Sequence, residues 1–300
     1  MEGILLIDKS AGFTSFDVIA KLRGMTKTKR IGHAGTLDPM ATGVLPVFFG
    51  RAAKAVDLLP NHDKAYIAGF KLGITTDTQD ITGRVLSRKS HAITIEEIKN
   101  ALTSFTGELR QTPPMYSAVR INGQRLYDLA RSGREIEREP RRIFLYETKL
   151  LGFDESSGEY GMFVKCSRGT YVRTLCHDLG EKLGCGAVMT SLRRIMACGF
   201  EIDGCITLEQ AQELCACGGL PLLPVSSAFA GLPELLLNDR QAHHFCNGLQ
   251  LGLSQFGDMP DSEKIRVVDN RGRFLGLAAA DKAENKLRII KLFTLGEQDK

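Results

Sequence analysis

Hydrophobic and polar positions alternate in two rhythms along the first two-thirds of the chain. Ile4–Asp8 reads as a strand and Val44–Phe49 as a buried one, while Tyr66, Ala68, Phe70 and Leu72 alternate as a half-exposed strand does. Thr14-Ser15-Phe16-Asp17 is a capping box that opens a helix, and the pattern turns Phe16, Ile19 and Ala20 inward. Thr94 with Glu97 caps a second helix whose apolar positions are Ile95, Ile98, Ala101, Leu102 and Phe105, with Gly107 just past its end. Asn122-Gly123 predicts a turn. Tyr160, Met162, Val164 and Cys166 alternate again, and a third helix follows with Val172, Leu175, Leu179 and Leu183 on one face.

Hairpins interleaved with isolated helices predict an α+β fold with a mixed, mainly antiparallel sheet. The segment from Ala216 to Pro233 is uncharged and largely apolar, but it holds Pro221, Pro224, Pro233, Gly218, Gly219 and Gly231. So many breakers argue against a membrane span and predict a linker with a few buried anchors. Beyond it, a short helix near Asp239–Gly248 precedes three strand-like runs, Ile265–Asp269, Phe274–Ala278 and Leu287–Phe293, with Asn270-Arg271-Gly272 as the first turn. The expected organisation is a first domain over residues 1–232 and a small β-rich one over 233–300.

Composition narrows the classes. A chain of 300 residues that is 43% hydrophobic and 25% charged can bury a core and is not mainly a disordered tail. The net charge of +4 says less than its distribution: Lys21, Arg23, Lys27, Lys29 and Arg30 fall within ten residues and lead into a glycine-rich loop. By itself such a run reads equally well as a solvated face. Eight cysteines all lie in the second half without a Cys-x-x-Cys pair, so reduced thiols and no metal are expected, and His243, His244 and Cys246 read as helix surface. The start MEGILLIDKS carries acidic residues and no long apolar stretch, which predicts a cytoplasmic protein with no signal peptide.

The densest chemical candidate is GHAGTLDPMATG, Gly32 to Gly43. Three glycines and Asp38 held against Pro39 describe a tight loop in which a carboxylate can meet a ligand that the backbone approaches closely; a plain Asp-Pro turn fits the same letters. No Gly-Lys-Ser/Thr triplet follows, which argues against a P-loop, and no Gly-x-Ser-x-Gly is present for a hydrolase elbow. KAYIAGFKLGITTDTQDITG (Lys64–Gly83) sets Tyr66 at a strand start and Asp77 and Asp80 in a polar turn. CSRGTYVRTLCHDLG (Cys166–Gly180) sets Arg173 in a helix's first turn, and SLRRIMACGFEI (Ser191–Ile202) puts Leu192 ahead of paired arginines. Taken one at a time, Tyr66 and Leu192 also fit simple packing, and Arg173 a helix-surface charge.

These four segments in this order, with LIDKSAGFTSFD (Leu6–Asp17) and TPPMYSAVRINGQRLYDLARSG (Thr112–Gly133), resemble the bacterial TruB-type tRNA pseudouridine synthases over roughly Gly3 to Phe293. The tail from about Leu235, with VVDNRGRFLGLA (Val267–Ala278), resembles the small RNA-binding pseudobarrel called PUA. The resemblance implies a catalytic domain of pseudouridine-synthase type and an isomerase that converts uridine 55 in the T loop of tRNA to pseudouridine. It implies Asp38 as nucleophile and Arg173 as its ion-pair partner. Tyr66 would stack on the flipped uracil, with its oxygen where a C5 proton leaves. Leu192 would line the opposite wall, His33 would fill or brace the space opened in the T loop, and Asp80 would order the site. Lys9 and Lys64 complete the expected substrate contacts. No cofactor or metal is implied. No long lysine-rich extension of the guide-RNA-dependent relatives is present, so a stand-alone monomer acting on tRNA alone is expected. Ser10 stands where that family commonly has proline, and Ala34 where threonine is frequent; both bear only on loop rigidity. The residues also leave three other readings open: a non-catalytic RNA-binding module, a hydrolase using Asp38 and His33, and a guide-dependent subunit.

Overall fold

The computed structural model describes residues 1–294 apart from Asn122, Asp258 and Asp261. The Asn122 half of the expected turn and residues 295–300 of the expected second domain lie outside the described residues. In chain order the first part of the fold runs β1 (Gly3–Lys9), α1 (Ser15–Thr26), β2 (Ile31–His33), β3 (Thr42–Phe49), β4 (Lys64–Leu72), β5 (Ile74–Thr76), β6 (Val85–Arg88), α2 (Ile95–Thr103) and β7 (Gly107–Gln111). It continues through the small hairpin β8 (Arg120–Ile121) and β9 (Gln124–Arg125), α3 (Leu126–Arg131), β10 (Arg141–Asp154), β11 (Glu159–Cys166), α4 (Val172–Lys182), β12 (Ala187–Ala197), β13 (Phe200–Glu201) and α5 (Leu208–Ala216). The last part holds β14 (Glu234–Leu237), α6 (Asp239–Cys246), β15 (Leu251–Gly252), β16 (Ile265–Asp269), β17 (Phe274–Asp281) and β18 (Lys286–Leu292).

The main sheet follows the order β1-β3-β12-β4-β11-β10-β7, with β2 on β3 and β13 on β12. Its ladders are antiparallel except where β12 meets β3 in parallel at Arg193–Arg194 and Thr42–Gly43, so the mixed, mainly antiparallel sheet expected of the pattern is present. That parallel junction brings the glycine-rich loop against the paired arginines. Gly43 has φ +102°, and a Cβ there would sit 2.1 Å from the Arg194 carbonyl oxygen, so no other residue lets the two strands close.

The expected helices form, and their caps explain where they begin. The Thr14 hydroxyl accepts from the Asp17 N–H, and the Asp17 carboxylate accepts from the Thr14 N–H; Thr94 and Glu97 repeat the arrangement. The inward face of α1 differs from the expected one. Phe16 is 65% exposed and Ala20 is exposed, and the buried set is Ser15, Val18, Ile19 and Leu22. Ser15 turns in because its hydroxyl accepts the Leu37 N–H at 2.9 Å, a bond from the glycine-rich loop that outweighs the apolar claim of Phe16.

The second sheet runs β14-β16-β17-β18-β15 and curves as a half barrel, with α6 packed on it. The segment from Ala216 to Pro233 is stitched to the first sheet rather than hanging free. Leu223 exchanges two backbone bonds of 2.8 Å with Ile4, and Phe229 is fully buried. Phe229, Phe274 and Phe293 form a triangle with centroids 5.5 to 5.8 Å apart. They belong to one apolar cluster that also holds Ile4, Leu6 and Phe48, so the β-rich part shares a core with the main sheet.

Candidate active site

The loop that carries Asp38 is fixed from three sides before any ligand is considered. Ala34 N–H bonds the Pro46 carbonyl at 3.0 Å, and Ala41 N–H bonds the Asp38 carbonyl at 3.0 Å, which closes the Asp-Pro turn. From β12, the fully buried Arg194 donates through Nε to the Val44 carbonyl at 2.8 Å and through Nη2 to the Gly35 carbonyl at 2.9 Å. From β1, Lys9 donates through Nζ to the carbonyls of Phe13 at 2.6 Å, Ser10 at 3.0 Å and Pro39 at 3.4 Å. A buried cation spent on carbonyl oxygens replaces its lost hydration with fixed dipoles, and here the dipoles belong to the loop and to the turn after β1 that bonds it through Gly12 N–H and the Pro39 carbonyl at 2.8 Å.

Asp38 stands at the rim of a cavity of about 280 Å³ that Lys64, Tyr66, Arg173 and Leu192 also line. Arg173 Nη2 lies 3.1 Å from Asp38 Oδ2 and donates to the Tyr116 carbonyl at 2.7 Å, while Nη1 lies 3.6 Å from Asp80 Oδ2. The Arg173 side chain is 7% exposed and that of Asp38 39%, so the cation is fixed inside the protein and the carboxylate faces the opening. An ionised carboxylate with a set rotamer and an open side is what a nucleophile requires.

Tyr66 pairs with Arg194 across β4 and β12 and with Val164 on β11, and its ring belongs to the main core. Burial pushes its phenol up to about 12, against the opposing pull of the Arg194 guanidinium beside it. It is therefore a neutral phenol at pH 7. Lys64 bonds the His62 carbonyl at 3.1 Å, and burial, with Arg194 nearby, holds its ammonium below the usual lysine range.

The other expected contacts sit elsewhere. Lys9 is fully buried and does not line the cavity; burial lowers its ammonium to about 8, and its hydrogen bonds close the turn after β1 at Ser10 and Phe13 and reach the Asp38 loop at Pro39. Asp80 is 5% exposed and does not line the cavity. Its Oδ1 accepts from Thr78 at 2.9 Å, Thr82 N–H at 3.0 Å and the Thr82 hydroxyl at 2.5 Å, leaving Oδ2 for Arg173. His33 ends β2 half-buried, outside the cavity lining, and burial followed by Arg194 keeps its imidazole below the ordinary histidine range. Tyr171, Ser117 and Ala118 line the cavity without having been singled out from the sequence, and Arg194 was noted only as one of a pair. The run Lys21, Lys27, Lys29 and Arg30 is exposed, while Arg23 is half-buried and donates to the Ile31 carbonyl at 3.3 Å. Among the described residues no group of three or more His, Cys, Asp or Glu is placed to hold a metal ion, and the eight cysteines are free thiols.

Lys9→Met is expected to lower stability by about 1–3 kcal/mol in urea unfolding, because three hydrogen bonds are lost while the stem's packing stays. The salt slope of binding to the RNA expected from the sequence should not change, since this cation has no surface to offer a phosphate. A slope reduced by about one unit would return Lys9 to the substrate contacts.

Three family models match the chain: the TruB family pseudouridylate synthase N-terminal domain over residues 23–172, the tRNA pseudouridylate synthase B C-terminal domain over 173–218, and the pseudouridine synthase II TruB C-terminal model over 233–288. A tRNA pseudouridine synthase B of Stutzerimonas stutzeri is 42% identical over 282 residues, 92% of this chain and 91% of that protein. One from Clostridium kluyveri is 38% identical over 296 residues, 98% of this chain and all of that protein. Among solved structures, a Cbf5-Nop10-Gar1 complex matches with a TM-score of 0.76 at 23% identity, covering 98% of this chain and 85% of the matched one, a likeness of fold.

Proposed function

The chain belongs to the TruB family of pseudouridylate synthases, and from that premise we propose that it converts uridine 55 in the T loop of tRNA to pseudouridine, alone and without a cofactor. The observation that carries the site assignment is the Asp38–Arg173 pair, a buried cation gripping a half-exposed carboxylate at the rim of a cavity. A non-catalytic RNA-binding module has no need of that pair.

In this reaction the N1–C1′ bond breaks, a C5–C1′ bond forms, C5 gives up a proton and N1 takes one. Nothing is oxidised and no group is added, so no co-substrate enters the balance. The target base must leave the folded T loop before any side chain can touch it, and the cavity beside Asp38 is the place assigned to it. Asp38 is the nucleophile, attacking ribose C1′ or ring C6. Arg173 holds its rotamer as the site is covered. Tyr66 offers its ring and a phenol oxygen to the base, and Leu192 an apolar wall. Lys64, at the same cavity, offers a cation to a substrate phosphate or carbonyl. Asp80 and Lys9 act behind the surface, on Arg173 and on the loop. His33, at the end of β2, fills or braces the space opened in the T loop.

The exposed cations of α1 and the turn after it supply phosphate contacts, and the β-rich C-terminal part, residues 233–300, adds further RNA contact as a PUA-like domain. Among the described residues no helix is long and apolar enough to cross a membrane. With tRNA as substrate, the cytoplasm is the place of action.

The test is the purified protein on an unmodified tRNA transcript, with no guide RNA, second protein or added metal. Stoichiometric pseudouridine at position 55 is expected, in a strong chelator as well, once the tRNA's melting curve shows that it stays folded there. Binding should weaken with rising salt on a log–log line whose slope is about 0.7–0.9 per neutralised phosphate. Product released as free uracil would convert the reading to a hydrolase. A requirement for an added RNA or protein would convert it to a guided subunit.

A further inference from the structure

The first turn of α4 is held by two glutamine amides, one on each flank. Gln111, the last residue of β7, is 5% exposed and pairs both arms of its amide with a single residue's main chain. Its Nε2 donates to the Tyr171 carbonyl at 3.1 Å and its Oε1 accepts the Tyr171 N–H at 2.8 Å. Tyr171 is the N-cap of α4, and its own side chain makes no capping bond. Its carbonyl also accepts the helix's first bond, from Leu175 N–H at 3.0 Å. On the other flank, the Thr174 hydroxyl donates to Gln79 Oε1 at 2.7 Å, and Gln79 directly precedes Asp80 in a left-handed conformation with φ +65°. Arg173 sits between these two ties.

The Gln111 tie has a second end. Five residues on, past Pro113 and Pro114, the Tyr116 carbonyl accepts from Arg173 Nη2 at 2.7 Å. The segment from Gln111 to Tyr116 thus grips the helix start twice, at the backbone of Tyr171 and at the guanidinium that reaches Asp38. A buried N–H stripped of its acceptor is strongly disfavoured, so without Gln111 the turn would shift until Tyr171 found another partner. Arg173 has little slack for such a shift, since its two carboxylate contacts stand at 3.1 and 3.6 Å.

We propose that Gln111 is a positioning residue for the isomerisation, setting the approach of Arg173 to Asp38 through the main chain of Tyr171. The proposal rests on the isomerase reading and adds to it a residue that touches neither the substrate nor Asp38.

Gln111→Met keeps the volume and loses both bonds; Gln111→Glu keeps the acceptor for Tyr171 N–H and loses the donor. Each variant is made in the wild-type chain and in Arg173→Lys. Single-turnover pseudouridine formation at saturating enzyme, tRNA affinity and thermal midpoint are read for all. Because a misplacement near 1 Å costs about 100-fold, the Met variant should fall by about 30–100-fold and the Glu variant by about 3–10-fold, with affinity within about 3-fold. In the Arg173→Lys background the Met change should cost less than about 3-fold, because residues acting through one another are not additive. Without substrate, the Arg173 Nε–H resonance should move in Gln111→Met. The wild-type rate on the same transcript tests the isomerase reading separately. A Met variant at the wild-type rate with an unmoved resonance overturns the proposal. So do rate losses that multiply with Arg173→Lys, or that follow the thermal midpoint equally in Met and Glu variants.

Discussion

Asp38→Asn is expected to abolish pseudouridine formation while leaving tRNA affinity within a few-fold. Asparagine has the same shape but carries no negative charge and no nucleophilic lone pair of comparable strength. The rest of the site should survive the change, because Arg173 keeps its bond to the Tyr116 carbonyl and its pairing with Asp80. The loop keeps the bonds from Arg194 and Lys9, none of which involves the Asp38 side chain. Affinity should persist because phosphate contacts, spread over exposed cations, supply most of it. The measurement is pseudouridine on tRNA transcript by mass shift after chemical labelling, beside a binding isotherm. Turnover at a tenth of wild type would end the nucleophile assignment, and a large loss of affinity would mean that the loop itself had moved.

Much of this site was legible because its sequence signals are local. Three glycines and an Asp-Pro step in twelve residues mark a loop on their own, and two capping boxes fix where α1 and α2 begin. What the sequence hid are the interactions whose partners are far away in the chain. Arg194 reads as one of two adjacent charges, yet Arg193 faces Asp8 at the surface while Arg194 is fully buried on carbonyls about 150 residues earlier. Lys9 is expected among the substrate contacts and is instead a buried staple between the turn after β1 and the Asp38 loop. Gln111 has no local signature at all, since its partner is Tyr171. Alternation predicts which side of a strand is apolar, but it cannot predict a charge that is buried because the backbone of another strand satisfies it. The same gap explains α1: two overlapping apolar periods compete there, and a bond from Leu37 N–H to the Ser15 hydroxyl decides between them.

Tyr66→Phe separates the ring from the oxygen and should lower single-turnover pseudouridine formation by about 10²–10⁴-fold, the usual worth of a positioned acid–base group. The ring packs in the main core at 6% exposure, so Phe keeps that packing and any stacking on the base, which is worth roughly 1–3 kcal/mol. Affinity should therefore hold, whereas Tyr66→Ala should lose both stability and binding. The phenol near 12 bears on how the oxygen works. At pH 7 about one molecule in 10⁵ carries phenolate, a cost of about 7 kcal/mol, so a resting phenolate is a poor candidate for taking the C5 proton. In the proposed mechanism the neutral phenol is the working form: its own proton passes to N1, which must gain one, as its oxygen takes the C5 proton, and the Arg194 guanidinium beside it stabilises negative charge that develops on the oxygen. The protonation state sets the sign of the pH dependence. Phenolate rises tenfold per pH unit below about 12, so a phenolate base would give a rate climbing tenfold per unit from pH 7 to 9. The neutral phenol adds no climb of its own over that range, so no Tyr66-dependent climb is the expected result. A climb of that slope, absent in Tyr66→Phe, would reverse the protonation assignment, and a Phe variant as fast as wild type would leave Tyr66 only its ring.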